Sequence, residues 1–363
     1  MRELVETAAL PRGRRILVIS DIHGNLPYLL GALDKVGYTP ADVLIVDGDF
    51  LEKGEQSLDT LHFLMGLCEK YCVYVLRGNC DGWHQVLDWQ GESLRRTMAY
   101  MAAHPDCVLR QMCRRQGLET DETTPPETVQ ALLRAHFMPE LDFLRARPVI
   151  LDTPNYTFVH GGISAGSVAE AEPKKCMKND AFMRQDWSLG KWQIVGHWPV
   201  MLYREDITDA KPILDPRRKV ISIDGGCVLK DDGQLNVLII PYDGSEDFRW
   251  NWYDPFPTAT ARTAQTGGGS SYYIRWGDNA VEVLERGEEF SRCRHVRTGY
   301  EMDILTDFLQ PGPAGGTVVN DSTDYRLPVA PGDELALVRQ TNRGWLCKRD
   351  GVTGWYAGEV ELT

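Results

Sequence analysis

Long apolar runs are missing from this chain, and so is any concentration of basic residues. No segment is apolar enough to cross a bilayer, and the opening MRELVETAALPRGRR has acidic residues but no apolar stretch of signal length. Both absences point to a cytoplasmic protein with no membrane partner. Asp and Glu number 52 against 39 Lys and Arg, a net charge of −13. Phosphate backbones are bound by clustered Lys and Arg, so no nucleic-acid partner is expected. The nine cysteines are scattered and include no C-x-x-C pair, which argues against a disulfide scaffold and a Cys-rich structural zinc site. Most read as small buried hydrophobes. Hydrophobic residues at 43% and charged residues at 25% are ordinary for a globular protein, and 363 residues call for two or more units.

The chain does contain short apolar runs that stop abruptly at polar groups. Ile16–Ile19 ends in Ser20-Asp21-Ile22-His23-Gly24-Asn25, and Val43–Val46 runs into Asp47-Gly48-Asp49. Val73–Leu76 runs into Arg77-Gly78-Asn79-Cys80-Asp81, Tyr156–Val159 into His160-Gly161-Gly162, and Gln193–Val195 into Gly196-His197. Five expected strand ends therefore present Asp21, His23, Asp49, Asn79, His160 and His197, with glycine beside nearly every one. Ligands commonly gather at the carboxyl ends of strands in open α/β sheets. Glycine lets the backbone turn tightly enough for them to converge. Six nitrogen and oxygen donors with no thiolate suit two divalent ions, manganese first, with iron or zinc as alternatives.

The ordered series DIHGN, DGDFLEKG, LRGNCD, FVHGGI and IVGHWP, followed by SIDGG at Ser222–Gly226, resembles the calcineurin-like metallophosphoesterases. It is most similar to their phosphoprotein phosphatase branch, which includes the symmetrical dinucleoside tetraphosphatases. The resemblance runs from Arg14 to Pro241. It implies an α/β fold, an αββα sandwich of two mixed sheets with a dinuclear metal centre at the sheet edge. By that resemblance Asp21 and His23 bind one ion, Asp49 bridges, and Asn79, His160 and His197 complete the other. Water activated between the ions attacks phosphorus in line. Asp49, Asn79, Cys80 and Asp81 are the catalytic candidates.

Three departures from the family pattern bear on substrate. Where the second signature commonly ends Asp-Arg-Gly, this chain has Glu52-Lys53-Gly54, and an ammonium does not make the bidentate fork of a guanidinium. Where the third commonly has Asn-His, this chain has Asn79-Cys80, and a thiol is a poorer donor to a leaving oxygen. That exchange favours leaving groups that need little protonation, such as aryl esters or phosphoanhydrides. No long basic stretch lies between His160 and His197, which leaves Arg184 with Lys53 as the candidates for phosphate contact. His62, His104, His136 and His295 lack a glycine-flanked strand-end setting and read as solvated or satisfied histidines.

The helical spacing of Leu26, Leu29, Leu30, Leu33 and Val36 predicts a helix ended by Gly37. Ser57 is placed to cap a second helix with Leu58, Leu61, Met65 and Cys68 on its apolar face. A βαβα opening with a parallel sheet follows. Residues 83–147 read as a helical cap or flank, interrupted at Thr120–Glu127, with Trp83, His84 and Trp89 near the substrate. The catalytic domain is expected over 1–253. Residues 254–271, rich in Pro, Thr, Gly and Ser, read as a flexible linker. Residues 272–363 show short alternating runs and a weak internal repeat that resembles bacterial SH3-like barrels, as two units over 272–311 and 317–363.

Three functions follow. The leading expectation is a phosphatase of the phosphoprotein phosphatase type, acting on a phosphorylated protein or small molecule. The second is a diesterase or dinucleoside polyphosphate hydrolase. The third is a weakly active regulatory protein that binds a peptide or protein partner through its SH3-like tail.

Overall fold

The computed structural model describes residues 4–313 and 315–362. Two compact units divide the chain: Met1–Pro199, Pro212–Leu229 and Gly233–Asp254 form the first, and Val200–Lys211, Lys230–Asp232 and Pro255–Thr363 the second.

The first unit opens with β1 (Val5–Thr7), β2 (Ile16–Ile19), α1 (Leu26–Lys35), β3 (Val43–Asp47), α2 (Ser57–Lys70) and β4 (Val73–Leu76). Helices α3 (Gly91–Ala103), α4 (Val108–Arg115), α5 (Pro126–His136) and α6 (Met138–Ala146) follow, and then β5 (Ile150–Asp152) and β6 (Tyr156–Val159). The unit closes with α7 (Pro173–Met177), β7 (Trp192–Val195), β8 (Ile213–Asp215), β9 (Val220–Ser222), β10 (Leu235–Ile240) and β11 (Arg249–Tyr253). Two mixed sheets result, in the orders β1-β5-β6-β7-β9-β8 and β11-β10-β2-β3-β4.

Alternation along fully buried strands sets the layers. Ile16, Val18, Val43 and Ile45 meet Tyr156, Phe158, Trp192, Ile194 and Ile221 between the sheets. Their neighbours Leu17, Ile19, Leu44 and Val46 point the other way, onto Leu29, Leu33, Leu58, Leu61 and Leu64 of α1 and α2. Each such fully buried aliphatic side chain stabilises the fold by about 1.5–3 kcal/mol. The outer face of the six-stranded sheet is covered more thinly than an αββα sandwich implies. Val159, Val195 and Val220 there meet Cys176 of the short α7 and Phe182 of a 3₁₀ turn.

Gly37, at φ +58°, follows α1 as expected. Ser57 does not cap α2. It is the first helical residue, and its hydroxyl accepts instead from the backbone N–H of Glu52 at 2.9 Å. Helices α3 to α6 pack on the α1–α2 side through Leu94, Met98, Met101, Leu109, Leu133 and Leu144, which makes them a flank of the parallel sheet. Among the described residues no helix is long and apolar enough to cross a membrane.

In the second unit the strands are β12 (Thr258–Ala261), β13 (Tyr273–Ile274), β14 (Ala280–Glu285), β15 (Phe290–His295), β16 (Glu301–Leu305), β17 (Leu309–Pro311) and β18 (Thr317–Val319). They continue as β19 (Ser322–Thr323), β20 (Glu334–Thr341), β21 (Gly344–Arg349), β22 (Val352–Tyr356) and β23 (Val360–Leu362). Two five-stranded sheets form, β16-β15-β14-β18-β17 and β22-β21-β20-β12-β23, with β13 and β19 paired apart.

Three expected boundaries are corrected. The stretch 254–271 is not a plain linker, because β12 sits inside the second sheet between β20 and β23. Its alternating TATA buries Ala259 and Ala261 while Thr258 stays exposed, a strand signal masked by the surrounding Pro, Thr and Gly. The first sheet runs on to Val319, so a division at 311 cuts it. The catalytic region also gives up two pieces: Thr208 and Asp232 bond Thr353, Lys230 pairs with Asp321 at 2.6 Å, and Met201 and Ala210 pack on Tyr273.

Candidate metal centre

Parallel pairing brings β2, β3 and β4 of one sheet, and β6, β7 and β9 of the other, to their carboxyl ends in common. Each end supplies polar residues directly after its last buried apolar one. Asp21 and His23 follow β2, Asp49 follows β3, Asn79 follows β4, His160 follows β6 and His197 follows β7.

The backbone that presents them is strained. Asp21, His23, Asp49 and His197 all have φ between +48° and +68°, the left-handed region that costs a non-glycine residue roughly 1–3 kcal/mol. A mesh of hydrogen bonds holds them there. His23 N donates to the Asp49 carbonyl at 2.9 Å, Asp21 N to the Gly48 carbonyl at 3.1 Å, and His197 N to Asp21 Oδ2 at 2.9 Å. Two glycines permit the close approach, since a Cβ on Gly78 would strike Asp49 and one on Gly196 would strike Asp21 and Ser20.

The donors point inward with their tautomers set. His160 donates Nδ1–H to the Asp47 carbonyl at 2.8 Å, which leaves its Nε2 facing Asp49 Oδ2 at 3.4 Å and Asp21 Oδ1 at 3.9 Å. His23 Nδ1 faces the Leu51 carbonyl at 3.4 Å, and its Nε2 lies 3.7 Å from Asp21 Oδ1. His197 donates Nε2–H to Asp180 Oδ1 at 2.8 Å, turning Nδ1 toward Asn79. The Asn79 amide, oriented so that its N–H groups meet acceptors, donates to that Nδ1 at 2.9 Å and to the Met177 carbonyl at 3.1 Å. Asp21 Oδ1, His23 Nε2 and His160 Nε2 are buried without a hydrogen-bond partner. Buried orphans of this kind are costly unless a cation engages them, so the donor set fits divalent metal ions.

All six expected ligands come together. The donors fall into two groups within 4.8 Å, one of His23, Asp49 and Cys80, the other of Asp49, His160 and His197, and they share Asp49. Burial pushes His23 down to about 4. His160 would also be pushed down by burial, but Asp49 and Asp21 beside it outweigh that and hold it well above its usual value. Asp21 is held well above the carboxylate range by burial and by the charge of Asp224. Such crowding of like charge at one point is the field a divalent cation relieves.

The other expected site residues divide. Cys80 lies against the cluster, its backbone N–H donating to Asp49 Oδ1 at 2.8 Å. Asp81 is fully buried and accepts from the N–H groups of Asp49, Gly78 and Leu51 at 2.8, 2.8 and 3.1 Å, so it holds the ligand loops from beneath. Burial and the charge of Asp49 push it up to about 8. Lys53 is exposed on the Asp49 loop, close enough for its charge to act on His23 and Cys80. Arg184 is exposed at the end of the 3₁₀ turn Phe182–Arg184, four residues after Asp180. His84 is a core residue rather than a substrate contact, since it is buried with Nε2 3.2 Å from Arg77 Nη1.

Two residues of the site escape sequence reading. Asp180 is one, distant from every motif and carrying no local signal. Glu52 is the other in its role: Tyr100 OH donates to one of its carboxylate oxygens at 2.7 Å and Val108 N to the other at 2.9 Å. It ties the Asp49 loop to α3 and to the start of α4. Tyr100 in turn stacks on His104 with centroids 4.0 Å apart and lies 5.3 Å from Trp83.

Comparison with known proteins yields likenesses to phosphoesterases, of which three follow. The family described as calcineurin-like phosphoesterase matches residues 14–215, more than half of the chain. The bis(5'-nucleosyl)-tetraphosphatase PrpE [asymmetrical] of Bacillus subtilis (strain 168) is 24% identical over 241 residues, covering 58% of this chain and 85% of that protein. A solved structure provisionally described as a diadenosine tetraphosphatase aligns at a TM-score of 0.45 and 16% identity, over 69% of this chain and 98% of its own.

Proposed function

The chain belongs to the calcineurin-like phosphoesterase family, and from that premise we propose a narrower activity, the metal-dependent hydrolysis of phosphoanhydride bonds in dinucleoside polyphosphates. As a member it is a hydrolase of phosphate esters that works at a dinuclear divalent-metal centre. The observation that carries the reading is the pair of donor groups joined at Asp49. Asp21, His23, Asp49, Asn79, His160 and His197 are the residues that would hold the ions. When bound, the ions supply Lewis acidity toward phosphoryl oxygens and a water of lowered pKa.

The chain's own groups support the anhydride. Cys80 occupies the place beside the ligands where the family commonly carries a histidine to protonate the leaving oxygen, and a phosphate leaving group needs little protonation. Glu52 is committed to Tyr100 and Val108, which leaves Lys53 as the charged group of that loop for the polyphosphate, with Arg184 as a second contact. Asp81, by clamping three backbone N–H groups, positions Asp49 and acts through it. The likeness to a tetraphosphatase supports the same substrate class. Nine unbridged thiols support a reducing, cytoplasmic setting. For the second unit we assign an SH3-like arrangement on the strength of its antiparallel runs β14-β15-β16 and β20-β21-β22.

The test gives the full chain manganese, zinc or ferrous iron in turn, with p-nitrophenyl phosphate, its bis ester and diadenosine tetraphosphate. The tetraphosphate should show the highest kcat/KM. Turnover of the monoester with none of the anhydride would overturn the reading in favour of a phosphatase. A metal-loaded protein inert toward all three would favour a regulatory role for the second unit.

A further inference from the structure

Cys80 stands beside the donors as more than a replacement for an acid. Its Sγ, a ring nitrogen of His23 and a carboxylate oxygen of Asp49 lie within 4.8 Å of one another. His23 Nε2 is buried, has no hydrogen-bond partner, and is aimed into the same space, because its other ring nitrogen is turned to the Leu51 carbonyl. The backbone N–H of Cys80 is tied to Asp49 Oδ1 at 2.8 Å, which fixes the thiol beside the shared carboxylate. Two metal bonds of about 2.0–2.3 Å hold donors at most about 4.6 Å apart, so the three side chains would close in slightly around one ion.

We propose that Cys80 is a thiolate ligand of the ion held by His23 and Asp49, so that this half of the centre is a mixed nitrogen, oxygen and sulfur site that selects a thiophilic divalent ion. The inference rests on the dinuclear reading above. The other half, built from Asp49, Asn79, His160 and His197, keeps only nitrogen and oxygen donors. Zinc, cobalt or ferrous iron then belongs on the Cys80 side, whereas manganese, which prefers carboxylate and water, is accepted more readily on the other. As the metal–sulfur bond forms, the thiol proton leaves to solvent, and no oxidant or reductant is involved. A thiol engaged in this way is not free to donate a proton to the leaving group, which accords with a substrate that needs none.

The experiment loads the full chain with cobalt(II) and counts bound metal alongside the near-ultraviolet spectrum. The wild type should bind two ions per chain and show a thiolate-to-cobalt charge-transfer band. Cys80→Ser and Cys80→Ala should lose that band while keeping the wild-type circular dichroism and melting profile. The preference for zinc over manganese should fall by about tenfold or more in both variants. Zinc should also protect Cys80 of the wild type from alkylation, read by mass spectrometry of the peptide. Two bound cobalt ions without a charge-transfer band, or a band that survives both substitutions, would overturn the assignment of Cys80 and leave the dinuclear centre standing. Failure of the wild type to bind cobalt would overturn both.

Discussion

In the first unit, Asp21, Asp47, Asp49, Asp81 and Asp224 lie buried at the ends of parallel strands, 2% exposed or less. In the second unit many acids pair with arginine near the surface, as in Arg294–Glu282, Arg343–Asp303 and Arg339–Asp307. Where the second unit does bury an acid it also partners it, since Asp232 accepts from the Thr353 hydroxyl, and the half-buried Asp321 receives both Lys230 and the Tyr273 hydroxyl at 2.6 Å. Backbone strain is distributed in the same way. Among the described residues, nine of the ten non-glycine residues at positive φ are in the first unit; the other, Asp350, sits in a hairpin turn. Surface ion pairs contribute about 0–1 kcal/mol and tolerate change. A crowd of buried like charges in strained backbone persists only where a cation and a dense hydrogen-bond mesh hold it. The first pattern marks chemistry and the second marks stability.

The sharpest way to break that contrast is Asp49→Asn. Removing the carboxylate common to both donor groups should lower hydrolysis by about 10³-fold or more, several kcal/mol of transition-state stabilisation, and reduce metal content below two ions. Steady-state kinetics with metal analysis checks it.

The next effect is on stability, away from the ligands. Burial, aided by the charge of Arg77, pushes His84 down to about 4, whereas the unfolded chain titrates it near its usual value. Between those two values the unfolded state binds the extra proton, so stability should fall as pH drops through that window, by up to about 3 kcal/mol. Denaturant titrations across pH 4 to 7 should show this slope, and His84→Gln should flatten it.

Asp180→Asn tests the support behind a ligand. Losing the carboxylate that fixes the His197 tautomer should weaken metal binding about 10- to 100-fold, with partial recovery in Asp180→Glu, measured by titration of the metal-free protein. Smallest is Tyr273→Phe in the second unit, where losing one hydrogen bond to Asp321, which keeps Lys230, should cost about 0.5–1.5 kcal/mol of unfolding free energy with metal affinity unchanged. A fall in metal affinity there would join what the contrast separates.

Much of the site was legible because its signals are local. An apolar run that stops at a carboxylate, imidazole or amide beside glycine marks a strand end, and Asp21, His23, Asp49, Asn79, His160 and His197 were picked out as candidates that way and do follow the ends of strands. The helical flank was readable from its 3.6-residue periodicity. The short strand Thr258–Ala261 was not, because four residues of alternation are outweighed by the turn-forming composition around them. Cys80 was read from its neighbour in the motif as a catalytic candidate and a weaker acid suited to leaving groups that need little protonation, whereas its relation to His23 depends on where two different strands end.

By itself the sequence determined which residues could be ligands, the order in which strands deliver them, and the phosphoesterase class, since each follows from contacts among near neighbours along the chain. Tertiary structure alone decided that Asp180 orients His197 from 17 residues away and that Asp21 receives the His197 amide across 176. It also decided that Glu52 serves two helices, and that Cys80 lies beside the Asp49 carboxylate. Those contacts join residues with no local signal for one another, and only the tertiary packing of separate elements brings them within bonding distance.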